Sequence, residues 1–391
     1  MNKRPQISPR NIKLYYVTQF LHALIFTIPI FIVFLSRILT PAQISFLIGW
    51  QYAIQFLTEM PTGALADLFG KKTVIIIGFA IGAIGSVLFS VADSFIHFLV
   101  LFSLIGLSDS FLSGSVEAWI YDSLKQDGIE KSFEKVLANQ GVLYQIGLIV
   151  GTGLGGFLYT ISPSFPYVLY SVALGLGALV SCFMYEPFID TVQVTLQGYI
   201  EQLKKGLHEI LLPRLRALSL FYILVGGISW SCALYFNQYV LLDVGFDAQM
   251  RGIIEASLRV FNIVLLKFIV DKTKLSSGRA PFIVFPALMI VSLLPGVALN
   301  QLIAIPFVAG AMLSSTARWI ILGNLVNKEL DSRYRATALS VLSMFIGMIY
   351  ITVTMISGPI IAFGGARLMF SILGILSLIF ILPLGLKLYR K

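Results

Sequence analysis

Amide and carboxyl side chains recur at helical spacing inside stretches that are otherwise apolar. Gln51, Gln55 and Glu59 are four residues apart, so they share one face of a helix. Asp109 and Glu117 are eight residues apart in another apolar stretch, and we expect them to share a face as well. Ionisable groups inside apolar helices are costly and mark functional sites by default. Because a carboxyl group in a low-dielectric cavity can take up and release a proton near neutral pH, Asp109, Glu117 and Glu59 are the predicted proton-coupling residues.

Further polar and aromatic residues lie in other apolar stretches. Glu255 and Arg259 are one helical turn apart, and a buried ion pair would let both charges stay inside an apolar helix. His22 is a lone histidine, for which a hydrogen-bonded packing role is a simpler interpretation than proton transfer. The other residues of this kind are Gln19, Phe26, Trp230, Asn237, Arg318 and Trp319.

The composition requires a membrane around this chain. Of its 391 residues, 57% are hydrophobic and 12% are charged, with a mean hydropathy of +0.88. A soluble protein carries about 25% charged residues, so a soluble fold is excluded. The two cysteines and three histidines show no spacing typical of a disulfide framework or a metal site. The sequence also shows no nucleophile–base set and no nucleotide loop, so we expect no enzyme activity, no cofactor and no bound metal.

Twelve apolar segments are long enough to cross a bilayer as helices, which takes about 20 residues. They are residues 12–36, 43–66, 73–92, 95–122, 133–159, 165–185, 214–242, 248–270, 280–298, 300–326, 334–363 and 366–387. The first segment is too long for the apolar region of a signal peptide and no small-residue cleavage site follows it, so we expect a retained first span.

Lysine and arginine residues lie mainly on one side of this predicted topology. With a cytoplasmic N-terminus, 23 of them fall on the cytoplasmic side, and three, Arg37, Arg251 and Arg367, fall outside. This asymmetry follows the positive-inside rule and predicts that both termini are cytoplasmic. The formal charge of +9 then faces anionic lipid, so we expect a lipid bilayer and no nucleic acid as a partner.

The segments form two halves of six, and the halves look related. The stretch SVEAWI at 115–120 recurs in similar form as STARWI at 315–320, which is 200 residues later. Parallel repeats of this kind are typical of transporters. Between the halves, residues 186–213 form the longest polar stretch and predict a basic amphipathic helix on the membrane surface.

The predicted fold is therefore an all-α membrane protein with twelve transmembrane helices in two pseudo-symmetric six-helix bundles. We expect an N-terminal bundle at 1–185, a cytoplasmic linker with an amphipathic helix at 186–213, and a C-terminal bundle at 214–391.

The turn after the second segment carries a recognisable motif. The stretch GALADLFGKK at 63–72 resembles the G-x-x-x-D-x-x-G-[RK]-[RK] loop of the major facilitator superfamily in residue types, chain position and membrane side. With the twelve segments and the central linker, the resemblance covers the whole chain. It implies two six-helix bundles that rock around a central site and open alternately to each side. A solvated turn with ordinary positive-inside lysines is the alternative interpretation.

In the family this loop latches the cytoplasmic gate. Gly63 would allow two helices to approach closely, and Gly70 would permit a tight turn. Asp67 could dock on a helix N-terminus or a basic side chain. Arg333 and Arg335, at the start of the eleventh segment, are its predicted partners.

Asp122 lies at the inner edge of the fourth segment, where we expect a gate contact with Lys125 or with the inner loops. The complete predicted cytoplasmic gate is Gly63, Asp67, Gly70, Lys71, Lys72, Asp122, Arg333 and Arg335.

The fifth segment is similar to a second pattern of the superfamily. Gly147, Gly151, Gly155 and Gly156 match the G-x-x-x-G-P-x-x-G-G pattern associated with antiporters, but Thr152 stands where that pattern has proline. Because of this departure, the pattern does not decide between import and export of the substrate. Close helix packing through small residues is the alternative explanation of the glycines. The same stretch matches G-x-G-x-x-G, but a dinucleotide site needs a strand before that motif, and here it lies inside an apolar helix.

The resemblance also implies which segments line the cavity. In the superfamily these are segments one, four, seven and ten, which favours His22, Asp109, Glu117, Trp230, Asn237 and Arg318. The substrate-cavity candidates are Gln19, His22, Phe26, Gln51, Gln55, Trp230, Asn237, Arg318 and Trp319. The opposed charges of Glu117 and Arg318 would accommodate a zwitterion.

We therefore predict a monomeric, multi-pass secondary transporter of the bacterial inner (plasma) membrane. Its expected partners are protons and a small amphipathic or lipophilic organic molecule, which it exports in exchange for protons by alternating access. A proton-coupled nutrient importer is the alternative. A sensor that kept the fold without transport is a further hypothesis, and it predicts that Asp67→Ala and Asp109→Asn are tolerated.

Overall fold

The computed structural model describes residues 6–188, 196–273, 278–332 and 334–390, and within these ranges every regular element is a helix. The chain divides into two compact units. In the described part of the chain, unit 1 comprises residues 6–39, 50–188 and 248–256, and unit 2 comprises residues 40–49, 196–247 and 257–390 with the two gaps.

Unit 1 is built from apolar helices connected by short turns. They are α1 (Ser8–Ala23), α2 (Phe31–Leu35), α3 (Pro41–Phe69), α4 (Lys71–Phe89), α5 (Phe95–Leu112), α6 (Ser115–Gln126), α7 (Phe133–Ile161) and α8 (Phe165–Ser181). Its core joins Tyr15 of α1, Phe79 of α4, Trp119 of α6 and Leu174 of α8, all of them buried. Burying such large apolar side chains against one another stabilises the contact between helices that are distant in sequence.

Unit 2 contains the remaining helices. They are α9 (Leu196–Leu211), α10 (Arg216–Ser231), α11 (Asn237–Asp243), α12 (Ala248–Lys272), α13 (Pro281–Leu293), α14 (Ala304–Ala317), α15 (Gly323–Glu329), α16 (Arg335–Leu376) and α17 (Leu382–Arg390). Three π-helical turns connect helices in this unit, at Cys232–Phe236, Arg318–Leu322 and Ser377–Ile381. The first residues of α3 belong to unit 2, and the first residues of α12 belong to unit 1.

Two of the predicted spans are interrupted. The first segment breaks after α1 and resumes at α2, so Phe26 lies beyond the end of the helix that carries Gln19 and His22. The fourth segment breaks between α5 and α6, where Gly114 has a φ of 71°. Adjacent serine and glycine residues are a common cause of such kinks. The expectation that Asp109 and Glu117 share one helical face is therefore wrong.

Seven helical segments in the described ranges are long and apolar enough to cross a membrane. They are Lys71–Phe89, Phe95–Gln126, Glu130–Ile161, Arg216–Asp243, Pro281–Ala298, Ala304–Glu329 and Arg335–Arg390. The last of these has 56 residues and breaks at Gly365, which has a φ of 74°. The chain is thus a multi-pass membrane protein.

The amphipathic helix of the predicted linker, α9, packs against α16 in unit 2. A methyl group added at Gly206 would lie 2.8 Å from the carbonyl oxygen of Thr337, and Ile210 is buried. Ile200 and Leu207 are exposed. Tertiary packing therefore covers one side of α9 and leaves these two apolar side chains outside the contact.

Candidate functional site

The polar stripe of α3 faces polar residues of α5 and of the turn after it. The Gln51 amide nitrogen donates to Asp109 Oδ2 at 3.0 Å. Two turns further along, the Ser113 hydroxyl donates to Glu59 Oε1 at 3.1 Å. Both carboxylates therefore have a neutral hydrogen-bond donor. Such a donor can hold a carboxylate in place without supplying a compensating charge.

Further hydrogen bonds hold α3 and α5 in this register. The Trp50 indole nitrogen donates to Ser103 Oγ at 2.8 Å, and the hydroxyls of Thr62 and Ser110 are 2.9 Å apart. A methyl group added at Gly106 would collide with the carbonyl oxygen of Gln51. This close backbone approach is what brings the short Asp109 side chain within reach of the α3 stripe.

Tyrosines from three helices form a group next to Asp109. Tyr52 of α3 and Tyr170 of α8 interact electrostatically with its carboxylate, and Tyr144 of α7 interacts with both of these tyrosines. Tyr170 also donates to the carbonyl oxygen of His22 at 3.3 Å. Tyr52, Tyr144 and Tyr170 were not among the predicted site residues, since an isolated tyrosine in an apolar span carries no periodic signal.

The predicted residues of α1 lie beside the same tyrosines. The His22 ring packs edge-on against Phe79, with centroids 5.9 Å apart, and lies 6.4 Å from the Tyr144 ring centroid. Gln140 of α7 donates to Gln19 Oε1 at 3.4 Å. Phe26 is buried. The ring contacts of His22 are those of a packing residue, whereas Gln19 joins α1 to α7 through a polar contact.

Glu117 lies eight residues after Asp109 in the sequence, beyond the break between α5 and α6. It sits in the first turn of α6, is exposed, and interacts electrostatically with Tyr15. An acid in the first turn is favoured by the helix dipole, so this position has a structural explanation as well as the predicted proton-coupling role. Gln55 lies between Gln51 and Glu59 on α3 and is partly exposed.

The turn from α3 to α4 is organised by acids outside the motif. Lys71 forms a salt bridge with Asp122 of α6. Glu186, which follows α8, accepts the backbone N–H of Lys71 at 2.8 Å and that of Lys72 at 2.7 Å. A carboxylate at these two donors caps α4 and complements its dipole. Gly70, with a φ of 85°, supplies the turn that exposes both N–H groups.

The other predicted gate residues are less constrained. Asp67 is exposed, and a methyl group added at Gly63 would meet no described atom within 4 Å, so close helix approach does not explain that glycine. Arg335 donates to the carbonyl oxygen of Leu330 at 3.5 Å. Arg333 lies outside the described residues. The capping role that we considered for Asp67 is filled by Glu186, which no motif indicated.

The glycines of α7 form two close-packing faces within unit 1. A methyl group added at Gly147 would lie 2.7 Å from Ala23 Cβ, and one at Gly151 would lie 2.7 Å from Ile25 N. At Gly155 it would collide with the carbonyl oxygen of Phe26.

On the other face of α7, a methyl group at Gly156 would collide with the carbonyl oxygen of Ala248. The Thr152 hydroxyl donates to the carbonyl oxygen of Leu148 at 2.6 Å, and Thr152 keeps the backbone N–H that a proline would have removed. The glycines thus have a packing role, and this role does not depend on whether α7 also takes part in the exchange of substrate for protons.

The polar residues of unit 2 have a different environment. Arg318 is fully buried in the π-helical turn after α14, and its guanidinium carbon lies 4.3 Å from the Trp319 ring centroid and 5.6 Å from that of Tyr222. Asn237 is fully buried at the start of α11, directly after another π-helical turn. The Trp230 ring lies 5.1 Å from the Tyr350 ring centroid.

Glu255 and Arg259 both lie on α12, where Glu255 is buried and Arg259 is partly buried. Their predicted ion pair stays a prediction. Among the described residues, no group of three or more His, Cys, Asp and Glu side chains is placed to hold a metal ion.

The sequence matches a known family model over most of its length. The Major Facilitator Superfamily model matches residues 15–326. The uncharacterized MFS-type transporter YxaM of Bacillus subtilis is 26% identical over 332 residues, which is 82% of this chain and 81% of that protein.

Two matches to resistance proteins are shorter. The quinolone resistance protein NorA of Staphylococcus aureus is 28% identical over 154 residues, covering 39% of this chain and 38% of NorA. Multidrug resistance protein 1 of Bacillus subtilis is 26% identical over 138 residues, or 34% of each chain.

Solved structures share the fold. The nucleoside transporter NupG aligns over 100% of both chains with a TM-score of 0.76 and 12% sequence identity. A bacterial homolog of the human lysosomal transporter Spinster, in an inward-facing and unoccupied conformation, covers 100% of this chain and 98% of its own with a TM-score of 0.70 and 18% identity.

Proposed function

Since this chain belongs to the Major Facilitator Superfamily and is therefore a multi-pass membrane transporter, we propose that it exports a small amphipathic organic molecule in exchange for protons. The observation that carries the proposal is the hydrogen bond from Gln51 to Asp109 among Tyr52, Tyr144 and Tyr170. This is an acid with neutral partners inside a membrane helix bundle. A carboxylate in such a place can bind a proton without leaving a stranded positive charge.

The proposed exchange uses the two protonation states of Asp109. In the ionised state the carboxylate accepts the Gln51 amide N–H and is available to interact with the substrate or with a tyrosine hydroxyl. In the protonated state it is neutral, which lowers the cost of moving the site through a low-dielectric environment. Glu59, held by Ser113, is the second proposed proton carrier, and Glu117 is the third.

The proposed topology has twelve transmembrane helices, with both termini in the cytoplasm of a bacterial cell and the protein acting as a monomer in the plasma membrane. Helices lie in all twelve predicted segments, and the 56-residue apolar stretch at Arg335–Arg390 is long enough for two crossings. The distribution of lysine and arginine supports this orientation. The proposed domains are 1–185, the linker 186–213, and 214–391.

Within this topology, we propose that the α3–α4 turn belongs to the cytoplasmic gate. The salt bridge of Lys71 with Asp122 and the Glu186 cap hold the turn in unit 1. Asp67 is left exposed beside them, available to a basic partner such as Arg335 during the transport cycle.

The proposed outward direction draws support from the names of relatives. NorA is a quinolone resistance protein, and the Bacillus relative is a multidrug resistance protein. The matches to both cover less than half of this chain. A proton-coupled importer is the alternative, favoured by Thr152 at the position where the antiporter pattern has proline.

Direction is tested with purified protein in liposomes of known orientation. A panel of fluorescent amphipathic amines, carboxylates and neutral dyes is loaded, and a pH gradient is imposed in either sense. We expect the substrate to move in the direction opposite to that of the protons. Movement in the same direction as the protons would support the importer and contradict export.

A further inference from the structure

Arg318 is a buried cation at the middle of a membrane helix. It occupies the π-helical turn between α14 and α15, and it is one of the largest fully buried side chains in the described ranges. Its guanidinium lies over the ring of Trp319 and near that of Tyr222. On the side of α10, a methyl group added at Gly226 would lie 3.3 Å from Nη1. The guanidinium therefore lies in a narrow space between two aromatic rings and a glycine.

No described residue neutralises this charge. The Tyr222 hydroxyl is close enough to interact with the guanidinium, but none of the three guanidinium nitrogens has a hydrogen-bond partner of normal geometry in the described part of the chain. The aromatic rings attract the cation, yet this attraction is weaker than the cost of burying an unpaired charge. Buried charges in proteins are otherwise paired.

The acidic residues of unit 2 do not supply the missing partner. They lie on α9, at helix ends or in connecting turns, and are Glu201, Glu209, Asp243, Asp247, Asp271, Glu329 and Asp331. Glu329 is the acid nearest to Arg318 in sequence on the same helical segment, and eleven residues of helix separate them by about 16 Å. The anion that compensates Arg318 must therefore come from outside this unit.

A second group in unit 2 is in the same condition. Asn237 is fully buried, and neither its amide nitrogen nor its amide oxygen has a partner among the described residues. Each of the two groups lies in or directly after a π-helical turn, at Arg318–Leu322 and at Cys232–Phe236. Such turns redirect side chains and are frequent at functional sites. Unit 2 therefore contains a buried cation and, elsewhere on its helices, a buried amide that no described residue meets with a hydrogen bond.

We propose that Arg318 binds the carboxylate of an organic monoanion. This rests on the transport function proposed above and names the substrate class. A planar guanidinium pairs with a carboxylate through two parallel hydrogen bonds. One positive charge matches a monoanion, whereas a phosphate dianion would leave a net negative charge buried.

The aromatic rings define the rest of the ligand. Tyr222 and Trp319 flank the guanidinium and can pack on a flat apolar body attached to the carboxylate. Trp319 covers Arg318 and is itself 56% exposed, so rotation of its indole opens the guanidinium to a ligand. The proposed substrate is therefore an aromatic or similarly flat carboxylate.

The test measures binding of cinnamate to the purified full-length protein in detergent, by thermal shift and calorimetry. Cinnamamide is the matched neutral probe, and inorganic phosphate and phosphatidylglycerol are the other anions. The variants are Arg318→Met, Arg318→Lys and, as a control in the same unit, Arg216→Met, which removes an exposed arginine at the start of α10.

Cinnamate is expected to stabilise the wild type and Arg216→Met, and cinnamamide is not. Arg318→Met should weaken cinnamate binding about ten- to a hundredfold, as the loss of charge-assisted hydrogen bonds implies, with Arg318→Lys between the two. Because Arg318→Met removes an unpaired buried charge, the variant without ligand should melt no lower than the wild type. This result would show that a loss of binding is not a loss of folding.

Three results would overturn the proposal: equal binding of cinnamate by Arg318→Met, equal binding of cinnamamide, or stabilisation by phosphate or phosphatidylglycerol in place of cinnamate. The assay needs no proton gradient, so its failure leaves proton-coupled export standing. Cinnamate that binds through Arg318 but is not exported by the protein in liposomes would contradict export and leave the carboxylate site intact.

Discussion

Asn11 and Asn237 are both fully buried asparagines, one in each unit, and their surroundings are opposite. The Asn11 amide nitrogen donates to Ser123 Oγ and to the Tyr185 carbonyl oxygen, both at 2.9 Å, and its amide oxygen accepts the Tyr185 N–H at 3.0 Å. Asn237 has no such partner in the described ranges. Two equally buried asparagines thus differ in whether neighbouring residues satisfy their hydrogen-bonding groups.

The same difference extends to the charged groups. In unit 1 several polar side chains are paired within the unit, as in the contacts of Gln51 with Asp109 and of Lys71 with Asp122. In unit 2 the cation Arg318 lacks an acceptor. Paired polar groups hold helices together, whereas an unpaired buried group costs free energy until a ligand meets it. The comparison fits the two proposals made above, proton handling in unit 1 and substrate recognition in unit 2.

Asp109→Asn should have the largest effect, because asparagine can accept the Gln51 hydrogen bond but cannot carry a proton. Transport driven by a pH gradient in liposomes is expected to fall by at least about tenfold. Substrate counterflow without a gradient should persist. Glu134→Gln, which alters an exposed acid of the same unit on α7, is the control and should transport normally. Unchanged proton-driven transport in Asp109→Asn would remove Asp109 from the coupling mechanism.

Asn11→Leu should destabilise the protein by about 1–3 kcal/mol, because it leaves the Tyr185 N–H without its acceptor and removes one of the two hydrogen bonds made by the Tyr185 carbonyl and by the Ser123 hydroxyl. The measurement is the free energy of unfolding in detergent. A loss below about 0.5 kcal/mol would show that the hydrogen bonds around Asn11 do not hold unit 1 together.

Glu186→Gln should cost about 1 kcal/mol, since the single amide oxygen can accept only one of the N–H groups of Lys71 and Lys72, which are bound by different carboxylate oxygens, and the charge that complements the α4 dipole is lost. Glu134→Gln again serves as the control, because Glu134 is an exposed acid in the first turn of α7. Equal effects of the two substitutions on the unfolding free energy would mean that the Glu186 hydrogen bonds add nothing to a generic dipole effect.

Asn237→Leu is expected to have the smallest effect on stability, and one of opposite sign to Asn11→Leu. Replacing a buried amide that has no partner by an apolar group of similar size should leave the unfolding free energy unchanged or raise it by about 1 kcal/mol. A loss as large as that of Asn11→Leu would erase the contrast between the two units.

Helical spacing predicted part of the site well. The stripe of Gln51, Gln55 and Glu59 lies on one helix, α3, and two of its members meet polar residues at the end of α5. Spacing could not predict which partners they meet, since Gln51 and Asp109 are 58 residues apart and their contact depends on how α3 packs on α5.

Other features gave no local signal. Glu186 follows an apolar helix with no motif around it, yet it caps α4 from a distance of more than 100 residues in sequence. The apparent repeat was also misleading in detail: Trp119 is fully buried and donates to the Tyr185 carbonyl oxygen, whereas its counterpart Trp319 is largely exposed. Similar short sequences acquire different environments when different helices pack beside them.

The sequence by itself determined that this protein is a helical membrane transporter of the Major Facilitator Superfamily. Apolar length, sparse charge and the loop at 63–72 are local properties, and the bilayer permits few folds for such segments. The tertiary structure decided which polar groups are paired. A hydrogen bond forms only when packing brings a donor within about 3 Å of an acceptor, and contacts between distant helices settle that distance. Those contacts left Asp109 with a partner and Arg318 without one.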